Sequence, residues 1–326
     1  QGNRPFLSAA ALHAAGLLAV VLTLAGCAAT GPTGGSPLPD TGAARATAGQ
    51  GQGAARASGG APAGKIAHVV IIMEENKAQS HILGSTAAPF INKLAQANAL
   101  AANYEAVAHP SLPNYLTLTS GTNAGITNDC NPPGGACTAS VRSIADQIQQ
   151  AGRSWKMYAE SMPAPCSPDN SGRYAVKHNP FMYYPNVTGN GASCAAHDVP
   201  FAQFAGDLTS ASSLPDYSFI SPDLCNDMHD CSIETGDAWL SKQVPAILAS
   251  PAFTTQNSLL VITFDEGDNH SNKVFTVFAG PAARKGFTSS TAYTHYSLLH
   301  TVEDAWGMAP LTTGVRDSAI MADMLR

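Results

Sequence analysis

The sequence predicts an α/β domain with a mainly parallel central sheet and helices on both faces. Strand-like apolar runs alternate with segments of helical spacing, which is the pattern of such folds. The first of these runs is apolar without interruption, as expected of a strand buried on both faces. Three of the runs end abruptly in acidic residues, where a parallel sheet opens its ligand-binding rim.

Taken in order, KIAHVVIIMEEN at 65–76 reads as a buried parallel strand whose carboxyl end carries two carboxylates and an amide. APFINKLAQANALAA at 88–102 repeats apolar positions at helical spacing, with Pro89 suited to a first turn. HPSLPNYLTLTSG at 109–121 is ambiguous, since LTLTSG suits either a helix or an extended run. SVRSIADQIQQAG at 140–152 predicts a helix stopped at Gly152, followed by a strand, WKMYAE, at 155–160. YSFISPD at 217–223, SLLVITFDEGD at 258–268 and VFTVFAG at 274–280 are further strands. TGDAWLSKQVPAILAS at 235–250 and YSLLHTVEDAWG at 296–307 supply helices. Residues 161–213 have weak periodicity, several prolines and glycines and two cysteines; they read as an irregular insertion held by a disulfide and lying over the site.

The amino-terminal segment differs in kind. Arg4 precedes an Ala, Leu and Val-rich run that closes in Leu24-Ala25-Gly26-Cys27, so residues 1–27 read as a lipoprotein signal with Cys27 as the lipidated residue. A membrane-spanning anchor is the competing reading. Ala28, where an aspartate could stand, points to the outer membrane, facing the periplasm or the exterior. Residues 28–64 are almost all Ala, Gly, Ser, Thr, Pro and Gln and read as a flexible tether, leaving 65–326 as a single folded domain.

Beyond Cys27 the cysteines are Cys130, Cys137, Cys166, Cys194, Cys225 and Cys231. In an exported chain these imply three disulfides, and sequence order favours pairing 130 with 137, 166 with 194 and 225 with 231. No Cys-x-x-Cys pair favours a zinc site. The net charge of −6 and the lack of a Lys/Arg-rich tract exclude an electrostatic footprint for nucleic acid.

Chemistry-capable residues cluster after three strands: Glu74, Glu75 and Asn76; Asp223, Asp227, His229 and Asp230; Asp265, Glu266 and Asp268. Parallel strands would bring these clusters to one rim, where several carboxylates cannot all ionise without a cation between them. Oxygen ligands favour calcium or magnesium, while nearby imidazoles keep zinc, manganese and iron open. Pro110 and Pro113 stiffen the chain around Ser111, so its hydroxyl is either a fixed nucleophile or an ordinary serine capping a helix that begins near Asn114.

The segments HVVIIMEEN, HPSLPNYLTLTSG, NDMHD and VITFDEGD together resemble the bacterial phosphoesterase family that joins acid phosphatases and phospholipases C, a branch of the alkaline phosphatase superfamily. The resemblance spans roughly 65–310. It implies an alkaline-phosphatase-like sheet and a metal-dependent phosphate monoesterase working through a phosphoserine on Ser111. Metal ligands would come from Glu75, Asn76, Ser111, Asp265 and Glu266, with Glu266 standing where many members carry aspartate. Asn76, His109, His178 and His295 would line the phosphate pocket. His229 would protonate the leaving alcohol, helped by His295 or His109, and Asp227 would fix a histidine tautomer or contact the metal. The implied ligand is a small phosphorylated substrate or a phospholipid headgroup, phosphoinositides included. The competing readings are a phospholipase C-type phosphodiesterase and a lipoprotein that binds phosphate ligands without catalysis. A carboxylic-ester hydrolase lacks its Gly-x-Ser-x-Gly elbow around Ser111.

Overall fold

The computed structural model describes residues 65–326. The expected signal, lipidated Cys27 and tether lie outside the described residues. The strands are β1 (Val69–Glu74), β2 (Ala99–Ala101), β3 (Tyr104–Glu105), β4 (Trp155–Ala159), β5 (Asp198–Pro200), β6 (Tyr217–Ser221), β7 (Leu259–Phe264), β8 (Thr276–Ala279), β9 (Phe287–Ser289) and β10 (Tyr293–Thr294). Eight of them form one sheet in the order β5-β4-β6-β1-β7-β8-β2-β9, and β3 pairs with β10 apart from it.

The five strands from β5 to β7 run parallel, so their carboxyl ends share a rim. Every residue of β1, β6 and β7 is buried. Since successive side chains point to opposite faces, both faces of the sheet must be covered. The helix Ser111–Ser120 packs against His295–Ala305 and Ile144–Gln150, and Pro89–Ala97 packs against Ile233–Leu248. Asp237, within Ile233–Leu248, accepts the N–H groups of Phe90 and Ile91, so one helix caps another. Strand β8 runs antiparallel to both neighbours. The linker 265–275 contains no helix, and a parallel return would need a crossover element.

Three expectations change. The helix expected over 88–102 ends at Ala97, because Asn98 folds its amide back onto the Leu94 carbonyl and residues 99–101 pair as β2. LTLTSG, open between helix and strand in the sequence, is helical over 116–120 and stops at Gly121. The stretch 161–213 is not wholly irregular: it contributes β5 at the sheet edge and several short helical segments. Their apolar positions are too few for periodicity to reveal them. The cysteines pair as sequence order favoured: Cys130–Cys137, Cys166–Cys194 and Cys225–Cys231.

Candidate active site

Glu74 of β1 lies opposite Phe264 of β7, so the next residues on each strand, Glu75 and Asp265, emerge side by side. Two backbone bonds lock this meeting point: the Glu75 N–H donates to the Asp227 carbonyl at 2.8 Å, and the Asp265 N–H to the Glu74 carbonyl at 3.0 Å. Asn76 then turns left-handed at φ +46°, a conformation asparagine tolerates, and its N–H donates to Asp265 Oδ1 at 3.1 Å. The two adjacent glutamates differ in their partners. Glu75 meets Ser111 and Tyr115, whereas Glu74 is buried with neither carboxylate oxygen hydrogen-bonded, in the field of Asp227, Glu160 and Asp237.

Ser111 is the first residue of its helix, not a cap for a later one. Asn114 holds the preceding loop by accepting the N–H groups of Val107 and Ala108 and donating to the Ala108 carbonyl. The Ser111 hydroxyl donates to Glu75 Oε2 at 3.1 Å. One turn on, the Tyr115 hydroxyl donates to the other oxygen of the same carboxylate. A hydroxyl at a helix N-terminus sits in positive potential, which favours both its ionised form and an approaching phosphate.

The histidines separate into distinct roles. His178 is buried between two carboxylates, with Nε2 3.3 Å from Glu75 Oε2 and Nδ1 3.3 Å from Asp227 Oδ2, and it stacks on Tyr115 at 5.4 Å. Burial, aided by Lys177 and His229, holds its pKa well below the usual histidine value. His229 is half-buried; its Nδ1 sits 2.7 Å from Asp230 Oδ1, which leaves Nε2 as its other functional atom. Asp230 is therefore its orienting carboxylate, while Asp227 Oδ1 accepts the His229 backbone N–H and Oδ2 faces His178. Exposed His109 pairs with Glu266 Oε2 at 2.7 Å.

His295 corrects an expectation. It is fully buried, with Nε2 2.7 Å from the Asp265 carbonyl and Nδ1 3.0 Å from the Tyr104 hydroxyl. Burial lowers its pKa to about 4, so it is neutral, donating through Nε2 and accepting at Nδ1. With both nitrogens engaged it has none for phosphate or for acid catalysis; it braces Asp265. His178 likewise lies deeper than a phosphate-lining residue should, against Glu75 itself.

Four buried carboxylates thus converge: Glu75, Asp227, Asp265 and Glu266. Burial first, then mutual repulsion, pushes Asp227 and Glu266 up to about 8 and Glu75 well above the carboxylate range. Burial also raises Asp265 to about 6, against hydrogen bonds from Asn76 and Ser111 that lower it. The residues fit a cation. The Asn76 side-chain NH₂ donates to Glu266 Oε1 at 3.0 Å and Asp265 Oδ1 at 3.3 Å, and turning the amide over would set its oxygen beside theirs, three oxygens around one point for a cation. Glu75, His178 and His229 offer a second donor set whose ligand atoms lie within 4.8 Å of one another. Buried His178 Nε2 and Asp227 Oδ2 lack a well-formed hydrogen bond. Beside the cluster opens a cavity of about 640 Å³ lined by Asn76, His109, Glu266 and residues 267–270.

Sequence reasoning missed Tyr115, Tyr104, Asp129 and Lys177. Only Tyr115 left a signal, standing four residues after Ser111 and hence on the same helical face. The others reach the rim through tertiary contacts.

The chain is 41% identical over 245 residues to a phosphatidylinositol-3-phosphatase of Mycobacterium tuberculosis, covering 74% of this chain and 77% of that protein. It is 36% identical over 236 residues to a phosphate-repressible acid phosphatase of Penicillium chrysogenum, covering 68% of this chain but only 55% of the fungal protein. Among solved structures, a Vibrio parahaemolyticus protein of the alkaline phosphatase superfamily matches with a TM-score of 0.57 at 10% identity, over 77% of this chain and 69% of that one. The Phosphoesterase family model matches residues 85–309, which hold Ser111 and both later acidic clusters, and the chain belongs to that family.

Proposed function

We propose that the protein is a metal-dependent acid phosphatase that hydrolyses phosphate monoesters through a phosphoserine on Ser111. The observation that carries this reading is the Ser111 hydroxyl donating into a ring of four buried carboxylates at a helix N-terminus. A divalent cation at Glu75, Asn76, Asp265 and Glu266 would supply positive charge against the phosphoryl oxygens. This oxygen set favours magnesium or calcium; recruitment of His178 and His229 instead would favour zinc, manganese or iron.

The remaining roles belong to the chain. Ser111 attacks phosphorus as its proton passes to Glu75 Oε2. His229, oriented by Asp230, protonates the departing alkoxide and then takes a proton from the water that hydrolyses the phosphoserine, as Glu75 returns its proton to the leaving Ser111 oxygen. Asp227 and Tyr115 hold His178 and Glu75, and His295 holds the Asp265 backbone. His109 and Asn76 face the adjoining cavity, where the leaving group would lie.

Phosphate release from an aryl phosphate tests this directly. Activity should vanish with strong chelation, return with added metal, and be abolished in Ser111→Ala; undiminished turnover in that variant removes Ser111 from the mechanism. A phosphoinositide 3-phosphate belongs among the substrates to assay, because a relative carries that name. Diacylglycerol release from phosphatidylcholine exceeding phosphate release would favour the phosphodiesterase reading. We also propose export and lipid attachment at Cys27 in the outer membrane, a reading supported by the three disulfides. Labelled fatty acid should be incorporated into the protein and lost in Cys27→Ala.

A further inference from the structure

The first backbone amide after a nucleophile at a helix start is the natural donor for a phosphoryl oxygen. Here that amide is already used. The Leu112 N–H donates to Asp129 Oδ1 at 2.9 Å, while the other oxygen of the same carboxylate holds Lys177 Nζ at 2.8 Å. Asp129 therefore occupies the amide and sets an ammonium group close to the nucleophile helix in its place.

Lys177 is built in rather than loose. It is half-buried in the short helical turn Val176–His178, whose first amide is capped by Asn170 and whose last residue is the buried His178. Through Asp129 its ammonium is tied to the start of the nucleophile helix, and its charge acts on Glu75, Glu266 and His178. An ammonium has three donors, and Asp129 is the acceptor it meets among the described residues. A dianionic phosphate entering among four carboxylates needs positive charge beyond one divalent ion.

We propose that Lys177 is a catalytic residue whose ammonium binds a non-bridging oxygen of the transferring phosphoryl group, with Asp129 as its positioning residue. The inference rests on the phosphoryl-transfer reading above. It assigns to Lys177 the oxyanion contact that the Leu112 amide cannot make.

The test uses the metal-loaded protein with inorganic phosphate as probe, both as inhibitor of turnover and as calorimetric ligand of Ser111→Ala. Lys177→Met should weaken phosphate binding at least about 10-fold and lower kcat/KM about 100-fold or more, with metal content unchanged. Lys177→Arg should fall between. Asp129→Asn keeps an oxygen for the Leu112 N–H but turns an NH₂ toward Lys177, so it should weaken phosphate binding while leaving the melting temperature nearly unaltered. Lys77, whose ammonium rests on the Asn76 carbonyl, is the charge control, and Lys77→Met should change either value less than about threefold. Phosphate affinity within threefold of wild type in Lys177→Met, equal losses in Lys77→Met, or loss of metal in Lys177→Met would each overturn the assignment. Should Lys177→Met not fold, Lys177→Gln and Asp129→Asn carry the same comparison. Turnover surviving in Ser111→Ala would fail the phosphoserine reading and not the Lys177 contact, which the calorimetry reads separately.

Discussion

At the scale of single residues, the site divides work between groups that touch the reacting atoms and groups that hold them. His229 has one nitrogen spent on Asp230 and the other available, which suits an acid that serves the leaving group. Its removal should therefore depend on the substrate. In His229→Ala, kcat/KM for alkyl phosphates should drop by about 10²- to 10⁴-fold, whereas aryl phosphates with acidic leaving groups should lose far less. Equal losses for both would exclude the acid role. Tyr115→Phe makes a different prediction, because it removes one of the two hydrogen bonds that Glu75 accepts in a buried setting. The bond from Tyr115 favours the ionised carboxylate, so without it a metal must displace a more firmly held proton and its affinity, read by titration, should fall about 10-fold.

Secondary-structure elements position these residues, and two of them can be probed from outside the chemistry. The nucleophile helix ends at Gly121, whose φ of +71° is the left-handed stop that glycine permits. A Cβ there would lie 2.5 Å from Val315 Cγ2 and 2.9 Å from Thr312 Oγ1. Gly121→Ala combines backbone strain with this clash and should cost on the order of 2 to 4 kcal/mol, seen as a lowered denaturant midpoint. The loop carrying Asp227 and His229 is bracketed by Cys225–Cys231 and shaped by Asp223, which accepts the N–H groups of Cys225 and Asn226. Replacing both cysteines by serine should lower activity more than it lowers the melting temperature, since the constraint acts mainly on the site. An unaltered kcat/KM in that variant would show the loop is held without the bridge.

At the scale of the whole molecule, buried acids outside the site tie stability to pH. Asp198 at the start of the edge strand β5 and Glu303 in the helix His295–Ala305 are both fully buried, and burial raises each to about 7. Between the unfolded carboxylate values near 4 and about 7, the native state binds protons that the unfolded chain has released. Stability must then fall as pH rises through that window, by about 1.4 kcal/mol per pH unit per group. Melting curves from pH 4.5 to 7.5 should show this slope, and Asp198→Asn and Glu303→Gln should each flatten it. A chain more stable at pH 7.5 than at pH 5 would contradict the assignment.

The sheet, the acidic rim and the disulfide order were legible in the sequence because each is written locally. Continuous apolar runs identify buried strands, and the residues that follow them must lie at strand ends. Glu75, Ser111 and Asp265 are far apart along the chain, yet two strand ends and one helix start bring them together at one edge. The role of each histidine was not legible, because it depends on which atoms meet the two ring nitrogens. His295 is silenced by Tyr104 and a carbonyl, and His178 is drawn under Glu75 by its stack on Tyr115. Periodicity and composition thus determined the architecture and the types of group at the rim. Only the tertiary structure decided which of those groups face one another, because burial, charge and hydrogen-bond satisfaction are set by neighbours distant in the chain.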